Sequence, residues 1–386
     1  MRLQLRQCLP GILALLATAA DARAQALDAR VATEYGQYVD SEHVFVETPS
    51  VRGSVSDPTR GWSVDGQYLV DVVSAASADI VSTASRNWTE VRQEGVLGAA
   101  YKPHAFGVQA NGYVSSEPDY LSLSAGGAIT QDLLDKNLTL LLGYGRAHDV
   151  GGRTGTPFSV FSRVVDRDAF KAAATIVLGP RTVASLVGDL MLDSGDQSKP
   201  YRYIPLFAPG TDVPKGASVD TVNALRVSAR PLEQLPLSRQ RYALTTRLAH
   251  RFHLATLRLE ERLYADSWAM LATTSDVRLL FDLGSRVETG PHARLHGQSS
   301  VSFWQRAYTY GPGFDFPALR TGDRELGPLV TVTGGWTLNL GLGSAATPMS
   351  WVLGFHLGAT STQYLDDLYL TQRVSALGGM MLEANL

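Results

Sequence analysis

Between Gln240 and Gln305 the sequence sets eight arginines on one side of an alternating pattern: Arg241, Arg247, Arg251, Arg258, Arg262, Arg278, Arg286 and Arg294. His292 and His296 share that side, and so do Glu260, Asp266, Asp282 and Glu288. A guanidinium stays charged at any working pH, and its planar fork matches carboxylates and other oxyanions. Two chemistries are open to such a set. It is either a basic wall that selects anions or a ladder of arginine–carboxylate pairs that satisfies and stiffens a polar interior. Eight arginines against four acids leave an excess of positive charge, which Asp65, Asp71, Glu90, Glu94 and Asp189 on other segments can offset. The expectation is a mild preference for small anionic solutes.

Other constellations point less far. Asp193, Asp196, Asp366 and Asp367 offer oxygen ligands, but without the spacing of a calcium loop, so no metal is expected there. Gly341-Leu342-Gly343 follows a strand and leads into no helix, which argues against a nucleotide-binding loop. His356, mid-segment on a polar face, reads as a hydrogen-bonded interior side chain. A hydrolase would need a serine or acid with a histidine partner, and the spacing singles out no such pair. No catalytic residue and no cofactor is expected.

Residues 1–26 carry Arg2 and Arg6, an apolar run from Cys8 to Ala20, and Ala24-Gln25-Ala26, the form of a cleaved secretory signal. The run is too short to span a bilayer, which takes about 20 residues. Cleavage removes Cys8, the only cysteine, so no disulfide or thiolate chemistry is expected in the exported chain. Its net charge of −3 before processing gives no reason to expect nucleic acid. No later stretch is long and apolar enough for a membrane helix, and a closed barrel is the other way to satisfy every backbone group in lipid.

The elements that would hold the arginines in place alternate with a period of two. Val330, Val332, Trp336, Leu338 and Leu340 are interleaved with Thr331, Thr333, Thr337 and Asn339. The last segment, Arg373–Leu386, sets Val374, Ala376, Gly378, Met380, Leu382, Ala384 and Leu386 against Arg373, Ser375, Glu383 and Asn385. One face suits lipid and the other water. Met380, Leu382 and Leu386 are expected to form the signal read by the barrel-insertion machinery. Glu261, among Leu257, Leu259 and Leu263, is a misfit that could mark a contact between protomers; the oligomeric state is otherwise open.

The pattern predicts an all-β, transmembrane antiparallel barrel: fourteen strands over residues 62–386, or sixteen if residues 27–61 form a first hairpin rather than a periplasmic lead-in. Short connections near Pro103, Asp132–Lys136, Pro180, His253, Pro291 and Gly343–Pro348 alternate with long ones at 74–87, 149–166, 194–239 and 308–324. Glu117-Pro118 is the exception among the long set. Such barrels have short periplasmic turns and longer outer loops, so both termini are expected in the periplasm and the 194–239 loop outside, perhaps folded inward over the lumen. Sixteen strands leave an aqueous interior, which favours a diffusion channel in the outer membrane of a Gram-negative bacterium over an enzyme or scaffold barrel. With only Leu27–Gly61 before the first certain strand, the large plug of a siderophore-type transporter is not expected.

Several stretches carry a resemblance: VSAASADIVSTA from Val73 to Ala84, EVRQEGVLGAAYKP from Glu90 to Pro103, KPYRYIP from Lys199 to Pro205, and SRQRYALTTRL from Ser238 to Leu248. In these the chain resembles a family of bacterial outer-membrane barrels catalogued as a domain of unknown function (DUF3570-like). The resemblance implies a barrel and brings no catalytic residues with it.

Overall fold

The computed structural model describes residues 27–75, 88–343 and 350–386. The expected signal peptide, the 76–87 part of the first long connection and most of the Gly343–Pro348 turn lie outside the described residues. Sixteen long strands close into one antiparallel barrel. They are β1 (Asp28–Asp40), β2 (Phe45–Asp57), β3 (Trp62–Ala75), β4 (Trp88–Tyr101), β5 (Phe106–Glu117), β6 (Tyr120–Leu133), β7 (Leu138–Gly151), β8 (Arg163–Gly179) and β9 (Thr182–Gly195) in the first half. The second half holds the two-residue β10 (Leu206–Phe207), helix α1 (Val219–Leu225), β11 (Ser238–Arg251), β12 (Ala255–Asp266), β13 (Leu271–Leu283), β14 (Val287–Gln298), the two-residue β15 (Tyr308–Thr309), β16 (Leu329–Leu342), β17 (Ser350–Tyr364) and β18 (Gln372–Asn385). The hairpin β1–β2 belongs to the wall: β1 pairs with β18 from Arg30↔Asn385 to Asp40↔Ser375 and closes the cylinder.

An even number of antiparallel strands puts β1's start and β18's finish at the same end, which also carries the short turns at 58–61, 102–105, 134–137, 180–181, 252–254 and 284–286. The opposite end carries 152–162, 196–237, 299–328 and 365–371. It also carries the short turns 41–44, 118–119 and 267–270, two more than the alternation of lengths predicts. Several of its turns share one device, a buried aspartate whose Oδ1 accepts two backbone N–H groups. Asp40 takes those of Glu42 and Val44, Asp266 those of Trp268 and Met270, and Asp367 those of Tyr369 and Leu370.

The wall obeys the expected alternation. Val332, Trp336, Leu357, Met380 and Leu382 stand exposed on the outer surface, while Thr331 and Thr333 meet Thr362 and Thr360 on the inner one. Four outward tyrosines each hydrogen-bond a polar neighbour: Tyr35 to Glu47, Tyr68 to Gln93, Tyr144 to Asp168 and Tyr242 to Gln240. An amphipathic ring with its hydroxyl satisfied is what the boundary between hydrocarbon and headgroup favours.

Two expectations need correcting. Pro291 makes no turn; it lies inside β14, opposite Trp336, and the turn is at 284–286, where Gly284 takes φ 76°. The strand tolerates proline because the β13–β14 ladder skips Gly290 and Pro291, so no partner waits for the missing N–H. Val301 and Phe303 are not in a strand. They belong to the 299–328 connection, where Val301 is 1% exposed against Leu235, Trp268, Met270 and Leu326. Their alternation with Ser302 comes from packing under a loop rather than from a ladder.

Candidate functional site

The site is the lumen, divided into an outer part filled by loops and an inner part lined by charge. The 196–237 connection reaches from one wall to the other. Near its start, the Ser198 carbonyl accepts from Arg163 Nη1 at 2.6 Å, and Tyr201 donates to Asp119 of the 118–119 turn at 2.7 Å. Further on, Gly216 and Ala217 donate their amides to the carbonyls of Asp367 and Leu368, at 3.1 and 2.7 Å, between β17 and β18. Strand β10 pairs in parallel with β15, which ties this loop to the 299–328 connection. Phe207, Val213, Ala217, Val222 and Leu368 form one apolar cluster of this layer, and Ile204, Leu206 and Tyr308 another.

A polar knot locks the layer. Glu233, 1% exposed, accepts from Thr321 Oγ1 at 2.6 Å, the Lys199 amide at 2.9 Å and Arg202 Nη1 at 3.2 Å. Arg202 also donates to Asp323 at 2.8 Å. Burial alone would raise the Asp323 pKa, but Arg202 and the Glu325 amide bring it below the usual carboxylate value.

Below this layer the inner faces carry the arginines. In the ladder Arg241, Thr245, Arg247 and Ala249 of β11 face the same side as Asp266, Arg262, Glu260 and Arg258 of β12. Five of the eight arginines have acid partners. Arg247 Nε meets Glu260 at 2.5 Å, Arg241 meets Asp193 at 2.7 Å, Arg278 meets Asp276 at 3.3 Å, Arg262 meets Asp189 at 3.4 Å, and Arg251 is in close contact with Asp282. The side chains of Arg258, Arg286 and Arg294 are exposed and make no ion pair or hydrogen bond among the described residues. His292 Nε2 lies 2.7 Å from Asp276, and His296 bonds Thr274 at 2.8 Å. Glu288 accepts from Asn339 at 3.0 Å.

The sequence pattern missed several members. Arg239 takes Asp266, which left Arg241 to Asp193 of the neighbouring β9; Asp189 and Asp276 were likewise not matched with their arginines. Cross-strand partners depend on register, which spacing within one strand does not contain. The loop acids also find protein partners. Asp196 pairs with Arg163 at 3.1 Å, Asp366 with Arg306 at 2.5 Å, and Asp193 with Arg167 at 2.7 Å. Among the described residues, Glu90, Glu117 and Asp119 bring oxygens within 4.8 Å of one another at the outer rim, a grouping not foreseen. Glu261 faces outward, its oxygens accepting from Thr273 and Ser275 at 2.5 Å each. His356 faces inward, its ring lying over the bare backbone of Gly379. Met380 and Leu382 face outward, and the Leu386 amide donates to the Ala29 carbonyl at 2.9 Å.

A family model described as a protein of unknown function (DUF3570) matches residues 168–351. A search of curated proteins gave no match. Among solved structures, a bacterial polysaccharide outer membrane secretin is 11% identical, with a TM-score of 0.45 over 93% of this chain and 98% of that one. The outer membrane protein opdK from Pseudomonas aeruginosa is 7% identical, with a TM-score of 0.43 over 93% and 99%. The siderophore receptor PirA from Acinetobacter baumannii is 10% identical, with a TM-score of 0.42 over 88% of this chain and 53% of the receptor, so the chain spans about half that receptor's length. The barrel fold is thus similar to those of bacterial outer-membrane channels and receptors.

Proposed function

We propose that the chain is an outer-membrane diffusion channel for small solutes with a mild preference for anions. In this reading residues 1–26 are a signal peptide, the termini lie in the periplasm, and the insertion machinery reads Met380, Leu382 and Leu386. The observation that carries it is the inner half of the lumen, where Arg258, Arg286 and Arg294 stand exposed without acid partners inside a closed sixteen-strand wall. Exposed fixed cations within low-dielectric walls raise the local concentration of anions. Paired arginines contribute structure more than field, which is why the preference is mild. The measurement is the reversal potential of the purified protein in a salt gradient, for the parent and for Arg247→Gln with Arg258→Gln and Arg278→Gln. An anion-preferring parent whose preference falls in the folded triple variant is expected. A cation-preferring parent, or unchanged selectivity, sinks the reading.

The loop layer supports a second reading, a scaffold or enzyme barrel with a filled lumen, because its apolar clusters and the Glu233 knot are built like a folded core. Absence of any single-channel conductance, in the parent and in variants that loosen the layer, would favour it.

A further inference from the structure

We propose that Arg258 and Arg278, with His292 beside them, form a subsite for one oxyanion group of a small solute, a carboxylate or a phosphate. The subsite deepens the channel reading and rests on it for access from solution. Arg258 and Arg278 are direct partners in the β12–β13 ladder. Side chains so placed have Cβ atoms about 4.5–5.5 Å apart, and like charges there repel. The same rung continues to Ala249 on one side and to His292, Gly335 and Gly358 on the other, so it contains no acid.

The acids of the adjacent rung are already engaged. Glu260 is held by Arg247 at 2.5 Å, while Asp276 is shared by Arg278 Nε at 3.3 Å and His292 Nε2 at 2.7 Å. Arg278 spends Nε on Asp276, and its two terminal nitrogens bond no protein group among the described residues; Arg258 bonds none with any nitrogen. If the rung served only to stiffen the wall, a carboxylate at either position would do it, as Glu260 does opposite Arg247. Two opposed guanidinium forks without an acid instead match an incoming group whose oxygens accept from both.

The space beside them is open. Gly335 and Gly358 carry no side chain at the next two positions of the rung, and a Cβ placed on Gly335 would come within 3.6 Å of His292 Nδ1. Asp276 holds the opposite nitrogen of His292, which fixes the ring toward this glycine shelf. The shelf leaves room for the rest of a small solute while its anionic group sits between the arginines.

The test is the chloride current of single channels of the full barrel with added inorganic phosphate, and separately with acetate or citrate. A saturating block is expected in the parent, with the half-blocking concentration raised about tenfold in Arg258→Gln and again in Arg258→Gln/Arg278→Gln; tenfold corresponds to about 1.4 kcal/mol. Phosphate and the carboxylates distinguish the two classes of oxyanion. Arg60→Gln, in the exposed 58–61 turn, controls for loss of one charge and should shift the block by less than about twofold. An anion-preferring parent whose current shows no saturation with any of these probes overturns the subsite and leaves the channel reading standing. If the parent does not conduct, the channel reading fails and phosphate binding to the detergent-purified barrel decides the subsite: titration heat lost in the double variant supports it, and no heat in the parent overturns it.

Discussion

The outer loop layer and the inner half of the lumen are lined by the same residue types and treat them in opposite ways. In the layer, Arg202 sits between Glu233 and Asp323, and Arg306 holds Asp366. In the inner half, Arg258, Arg286 and Arg294 have no acid at all. The difference is water. A buried charge without a partner costs several kcal/mol, so the layer forms only if each is matched. A guanidinium in a wet lumen keeps its hydration, and leaving it unpaired costs little while creating a field. The comparison teaches where to look for function in such a barrel: among the charges that folding did not need.

The wall is the frame both regions share, so removing its seam has the largest expected effect. Deletion of Arg373–Leu386 takes away β18, both of whose neighbours are listed strands of the closure, β1 and β17. The shortened chain should show no heat-modifiable migration on a gel, and a folded band would break the frame itself. Next comes the knot: Glu233→Ala should cost the layer about 3–5 kcal/mol, because it strands Arg202 in a buried site. The readouts are faster proteolysis within 196–237 and a larger conductance in the still-folded barrel. Unchanged proteolysis would show that the layer is not held as a core is held.

Leu338→Arg should then cost about 2–4 kcal/mol at the lipid face and impair assembly, whereas Asn339→Arg, pointing into the lumen beside Glu288, should assemble. Equal assembly of the two would refute the face assignment. The smallest effect concerns acid. Asp323 has its folded pKa lowered from 3.8, so its contribution is present above about pH 4 and is lost as pH falls through the lower folded value. Proteolysis of the 196–237 segment should therefore accelerate below pH 4 while the wall stays folded. No acceleration would place the hold of the layer in its apolar clusters.

Much of the wall was legible because a strand writes its faces into adjacent residues. Val330 to Leu340 shows which side meets lipid without any knowledge of its neighbours, and even the weak Asp28–Ser54 hairpin, with Gln37 out of pattern, could be counted. Gln37 faces outward and donates to the Tyr35 hydroxyl at 3.0 Å, so the misfit is locally satisfied. The loop layer was not legible. Val301 and Phe303 looked like strand residues because burial under a loop also produces apolar residues two apart. The arginine set was half legible: the inward side followed from alternation, but Asp193 and Asp276 as partners needed the register of strands β9 and β13 against β11 and β14.

The seam between β1 and β18 carries one more consequence. It joins residues as far apart in the chain as Arg30 and Asn385, so its closure spans nearly the whole described sequence. Every other long strand pairs with a neighbour close in sequence order. The hairpins can zip one after another at small entropic cost, but the cylinder gains its last ladder only by bringing the two ends of the sheet together. Until then β1 and β18 each present a row of unpaired amides and carbonyls, a template for pairing with another chain. The slowest contact to form is thus also the one whose delay exposes the molecule to aggregation.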